Sequence, residues 1–129
     1  MEYEKTVLDN GLRLITISLP HVHSVCLSIY VGAGSRYEPE EQAGLSHFLE
    51  HLLFKGTQRW GTAKELAEAV EGVGGVFNGG TDKELTVYWA KVARPHFKIA
   101  LEVLADMLRH PRVDPVEMEK ERQVVLEEI

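Results

Sequence analysis

Apolar residues change their spacing several times along this chain, and each change predicts an element. Residues 5–8 and 12–19 alternate around Asp9-Asn10-Gly11, which predicts two strands joined by a hairpin turn. Residues 25–33 are more continuously apolar and predict a third strand. Beyond the Gly32-Ala33-Gly34-Ser35-Arg36 loop and Glu38-Pro39-Glu40-Glu41 the spacing becomes helical, with Leu45, Phe48, Leu49, Leu52 and Leu53 on one side and Gly56 as the stop. Residues 62–73 predict a second helix, opened by a Thr62/Glu65 capping box and closed by Gly74-Gly75. Residues 76–77 and 84–92 predict strands, the latter alternating through Leu85, Val87 and Trp89, with Gly79-Gly80 between them read as a tight turn. Residues 95–109 predict a helix with Phe97, Leu101, Leu104 and Leu108 in the core, stopped by Pro111. Asp114 as N-cap, Pro115 at the first helical position and Glu117 at the capping-box position open a last helix over 114–129. Strands and helices in this irregular order predict an α+β fold, an antiparallel or mixed sheet with helices packed on one face.

The first of these helices carries the chemistry, in His47-Phe48-Leu49-Glu50-His51. At about 100° per residue, His47, Glu50 and His51 share one arc of about 100°, opposite the apolar side. Histidines one turn apart can reach one metal ion, and the glutamate emerges beside them. The glutamate precedes the second histidine, which is the inverted form of the zinc-hydrolase motif. In such a site zinc lowers the pKa of a bound water toward about 7, and Glu50 would take the proton from that water and later pass it to a leaving amine.

Two histidines leave the ion one protein ligand short. In the last helix Met118, Val125 and Ile129 define the buried side, and Glu121 and Glu128 fall along the edge of that stripe, whereas Glu127 points away with Lys120 and Gln123. A carboxylate on a buried face is costly unless paired or bound to metal, which favours Glu128 or Glu121 over Glu127.

With these residues in place, the sequence resembles the pitrilysin, insulysin and mitochondrial processing peptidase family of zinc endopeptidases. The resemblance rests on Leu8-Asp9-Asn10-Gly11-Leu12, on Val31-Gly32-Ala33-Gly34-Ser35-Arg36, on the run from Gly44 through the motif to Phe54-Lys55-Gly56-Thr57, and on Glu121 through Glu127-Glu128-Ile129. It implies His47 and His51 as ligands to Zn2+, Glu50 as catalytic base, Glu128 as third ligand and Glu121 as a support for the metal site. It further implies that Asn78, Gly79, Gly80 and Thr81 border an edge strand that pairs with the substrate backbone, so a peptide or unfolded polypeptide is the expected substrate, laid along 78–81 and 84–88. The family usually has an aromatic residue where Gly80 stands, and its enzymes take an Arg and a Tyr from a later homologous domain or subunit that these residues do not include.

Composition agrees. A chain of 129 residues, 44% hydrophobic and 26% charged, suits one globular core. A formal charge of −6 argues against a nucleic-acid partner, which needs a basic face. Cys26, alone in an apolar run, reads as a buried core thiol. Trp60 and Trp89 read as core or edge-packing aromatics, and no apolar run approaches the ~20 residues of a membrane span, so a cytoplasmic location is expected. The last helix ends one residue past Glu128, so residues 1–129 read as the N-terminal part of a single metallopeptidase domain. That piece alone is expected to be inactive and to bind zinc weakly or not at all. The rival reading is a non-catalytic relative that binds peptides or assists assembly; a structural zinc module fits poorly, since such sites favour four Cys or His ligands.

Overall fold

The structure, a computed structural model, describes residues 2–128. The hairpin forms as expected: β1 (Glu4–Val7) pairs antiparallel with β2 (Arg13–Thr16), and the Asn10 side chain accepts from the Leu12 N–H at 3.0 Å across the turn. These strands make a small sheet of their own. A second, fully antiparallel sheet is built from β3 (Ser24–Val31), β4 (Val76–Thr81) and β5 (Thr86–Ala93) in the order β3-β5-β4. Four helices accompany it: α1 (Leu45–Leu53), α2 (Ala63–Glu71), α3 (Phe97–Arg109) and α4 (Pro115–Glu128). The architecture is α+β, with helices packed on one face of the three-stranded sheet.

That face is formed by Val25, Leu27 and Ile29 of β3, Tyr88, Ala90 and Val92 of β5 and Phe77 of β4, paired in register and packed with Leu53, Leu66, Val70, Val103, Leu104 and Met107. The expected alternation holds at Val87 and Trp89, which share the face of β5 opposite the core. Both lie half-buried on this outer face, because both sides of β5 are apolar and the helices select the side bearing Ala90 and Val92. Cys26 shares the outer side of β3 and is exposed rather than buried. Residues 86–88 are not an edge either, since β5 is hydrogen-bonded on both sides and the edges of this sheet are β3 and β4, and residues 84–85 precede the strand.

Gly79-Gly80 continues β4 instead of turning. A Cβ on Gly79 would meet the Phe54 ring at 3.0 Å, so the strand approaches the end of α1 closely enough that any side chain there would require the ring to shift. On α3 the buried stripe is Ala100, Val103, Leu104 and Met107; of the expected set Leu104 is buried and Leu108 packs on the core, while Phe97 (41%) and Leu101 (42%) are exposed. On α1, Leu52 and Leu53 are buried and Phe48 half-buried, but Leu45 and Leu49 are exposed. On α4, Val125 is buried and Met118 half-buried, and Ile129, assigned to the same stripe, lies outside the described residues. No helix among the described residues is long and apolar enough to cross a membrane.

The caps explain where the helices begin. Thr62 Oγ1 accepts from the Glu65 N–H at 3.1 Å, and Asp114 Oδ1 accepts from the Val116 N–H at 3.0 Å. The motif helix starts differently. Gly44, at φ +88°, turns the chain into α1, and the carboxylate of Glu38 accepts from the N–H groups of Gly44 (2.9 Å) and Ser46 (2.6 Å). The Ser46 bonds, foremost its backbone N–H, hold the Glu38 carboxyl below the usual carboxylate range. A carboxylate with a depressed folded-state pKa stabilises the fold above its unfolded pKa, and that contribution is lost as pH falls through the folded value. Glu38→Gln should therefore lower stability at neutral pH by about 0.5–2 kcal/mol. In urea denaturation, the gap between variant and wild type should close as the solution is acidified below the ordinary carboxylate range; a gap that persists there would remove Glu38 from the capping role.

Candidate metal centre

Two helices carry the candidate ligands. α1 presents His47, Glu50 and His51, and α4 packs against α1 and brings Glu121 and Glu128 over them. The imidazoles stand edge to face, with centroids 4.8 Å apart. His47 Nε2 lies 3.1 Å from His51 Nε2 and 3.1 Å from Glu128 Oε2, and His51 Nε2 lies 3.4 Å from that same oxygen. Donors held about 2.0–2.2 Å from a tetrahedral ion sit roughly 3.3 Å from one another, so these atoms have the spacing that one zinc ion requires. His47, His51 and Glu128 are the one such cluster of metal-binding side chains among the described residues. With the Glu128 side chain 47% and the His47 side chain 36% exposed, the cluster is open to solvent.

The other nitrogen of His51 settles its tautomer. Nδ1 lies 3.1 Å from Glu121 Oε2, and a carboxylate there takes the ring N–H, leaving the Nε2 lone pair facing His47 and Glu128. His51 Nε2 and Glu128 Oε2 then both face the site as acceptors, and a cation or a proton between them relieves their repulsion. Glu121 is 6% exposed, and its second oxygen meets Lys55 Nζ at 2.7 Å. Burial alone would raise its pKa, but the bonds from Lys55 and His51 outweigh burial and bring it below the ordinary value. Glu121 thus contacts His51 and Lys55 at once, bridging a candidate ligand and a salt-bridge partner. The part of Lys55, one turn beyond His51, is legible only once Glu121 is known to lie across from it.

Glu50 sits beside the pair, and its Oε2 accepts from the Thr81 hydroxyl at 2.6 Å. Its charge, added to burial, helps push the Tyr88 phenol up to about 12. Of the residues expected to border substrate, Asn78, Gly79 and Gly80 lie on the edge strand β4 with their far side unpaired in the sheet, whereas Thr81 turns its hydroxyl to Glu50. A Cβ on Gly80 would meet only Val87 Cγ1, at 3.9 Å, an ordinary van der Waals contact.

A histidine pair one helical turn apart, a carboxylate from a second helix and an intervening glutamate match the pattern of an inverted-motif zinc hydrolase. The sequence model of the family described as insulinase (peptidase family M16) matches residues 13–129, and the chain belongs to that family. It is 48% identical over 121 residues to the uncharacterized zinc protease YmxG of Bacillus subtilis, covering 94% of this chain and 29% of the relative. It is 41% identical over 128 residues to the probable mitochondrial-processing peptidase subunit beta of Arabidopsis thaliana, covering 99% of this chain and 24% of that protein. Among solved structures, a protease from Helicobacter pylori superposes with a TM-score of 0.91 at 31% identity, over 98% of this chain and 30% of that one. The chain thus spans less than a third of the length of these relatives, and the family is one of zinc metallopeptidases.

Proposed function

We propose that this chain supplies the metal ligands and general base of a zinc-dependent endopeptidase that cleaves extended polypeptides, as the N-terminal part of a single metallopeptidase domain. The observation that carries the reading is the convergence of His47 Nε2, His51 Nε2 and Glu128 Oε2 within 3.1–3.4 Å of one another, with Glu50 on the same turn of helix. His47, His51 and Glu128 would hold the ion. A zinc ion so held supplies a lowered water pKa, toward about 7, and polarisation of the scissile carbonyl.

The protein side chains do the rest. Glu121, anchored by Lys55, keeps the His51 ring turned with its Nε2 toward the site. Glu50 takes the proton of the attacking water and returns it to the leaving amine. The free edge of β4, at Asn78, Gly79 and Gly80, pairs with the substrate backbone by strand addition, which places a peptide bond near Glu50 because the strand ends at Thr81. A second homologous domain or subunit would complete the contacts to the substrate, in keeping with a relative named as a subunit. A binding scaffold has no use for a hydrogen-bonded base beside two ligands, so the catalytic reading is favoured over the assembly one.

Incubating the full-length protein with an unfolded polypeptide tests the proposal. Cleavage should be abolished by a zinc chelator and restored by stoichiometric zinc; cleavage that survives complete metal removal would refute it.

A further inference from the structure

We infer that Thr81 is a positioning residue for the general base: its hydroxyl fixes the Glu50 carboxylate from the end of the strand whose free edge faces substrate. The inference rests on the endopeptidase reading and deepens it.

The 2.6 Å separation between Thr81 Oγ1 and Glu50 Oε2 falls in the range of a charge-assisted O–H···O⁻ bond. A general base must offer one carboxylate oxygen in a fixed direction, and a carboxylate on a flexible side chain does so only when its other oxygen is held. Thr81 is well placed to hold it because its own backbone is fixed. It pairs with Thr86 in register at the closed end of the β4–β5 hairpin. Thr86, 3% exposed, donates its hydroxyl to the Ala33 carbonyl at 2.8 Å, tying that end of the hairpin to the loop after β3. Two residues earlier, Gly79 lies against Phe54, which caps the C-terminus of the motif helix. The strand and the helix are thus held together at two points, and the Thr81–Glu50 bond is the polar one.

A consequence follows for substrate. A polypeptide added to β4 would pair with the same strand that orients the base, so seating the substrate backbone and aiming Glu50 share one support. The hydroxyl, and not the bulk of the side chain, is the working part. An isosteric change that deletes it should act on the chemical step more than on binding.

The test compares Thr81→Val, which keeps shape and loses the hydroxyl, with Thr81→Ser, which keeps the hydroxyl, in the full-length zinc-loaded protein. The expected result for Thr81→Val is a fall in kcat of between about 10- and 100-fold with KM within about twofold. Zinc content should stay at the wild-type level, and the melting temperature should be nearly unchanged. Thr81→Ser should return most of the rate. Affinity for a peptidyl hydroxamate, which chelates zinc and hydrogen-bonds to the base without turnover, should weaken in the Val variant and recover in the Ser variant. Wild-type kcat and hydroxamate affinity in Thr81→Val would overturn the inference, as would an equal loss in Thr81→Ser or a loss of zinc in either variant. If wild type cleaves and Glu50→Gln does not, a silent Thr81→Val sinks this inference alone; if wild type neither cleaves nor binds zinc, the endopeptidase reading falls and takes the inference with it.

Discussion

Glu50→Gln in the full-length protein should lower kcat for peptide cleavage by about 10²- to 10⁴-fold while leaving zinc content unchanged. The amide keeps the shape of the carboxylate and can still accept from the Thr81 hydroxyl, so the local structure has no reason to move. It cannot take a proton from water at neutral pH, and that alone removes the base. The metal donors are untouched, because His47, His51 and Glu128 form their cluster without Glu50. Cleavage at more than a tenth of the wild-type rate, with zinc bound, would transfer the proton to another group.

Glu128→Gln should have its effect on the metal instead. Its Oε2 is within 3.4 Å of both imidazole nitrogens, and replacing the carboxylate takes away the one anionic donor of the set. Zinc affinity should fall by more than the roughly 10- to 100-fold lost on removing a carboxylate that only supports a ligand. Glu121→Gln belongs to that second, smaller class, since it leaves all three donors in place but loosens His51. Glu127→Gln should change nothing, because Glu127 is exposed and lies outside the cluster. Competition dialysis against a calibrated zinc chelator orders the three variants. Equal affinity in Glu128→Gln and Glu127→Gln would take the third ligand away from Glu128.

The residues proposed to hold and use the metal were legible because their spacing is local. His47, Glu50 and His51 occupy one arc of one helix, and Glu121 and Glu128 are two turns apart on another, so helical geometry alone groups each set. Bringing the two sets together is a tertiary event, and the cost of a carboxylate on a buried face, at Glu121 or Glu128, was the physical clue to it beside the family resemblance. What stayed hidden depends on contacts between distant segments. The Glu38 cap reaches six and eight residues forward from a loop, outside the usual N-cap position. The Thr81–Glu50 bond joins positions 31 residues apart, and no periodicity encodes it.

Which face is buried has a different origin. β5 is apolar on both sides, so alternation through Val87 and Trp89 competes with alternation through Tyr88, Ala90 and Val92, and helix packing decides. α3 offers two overlapping stripes that share Leu104. The one with Ala100 and Val103 wins because small side chains let the helix approach the sheet. Gly79-Gly80 has the composition of a turn, yet the Phe54 ring needs its space inside a strand. Each case is one in which a side chain elsewhere in the fold overrides local preference.

The central claim is that two rings on α1 and one carboxylate on α4 share a single ion. Anomalous diffraction at the zinc edge from crystals of the full-length protein measures this directly. The predicted result is one peak about 2.0–2.2 Å from His47 Nε2, His51 Nε2 and a Glu128 carboxylate oxygen. A peak at any other place, or one held by the histidines with Glu128 turned away, would contradict it.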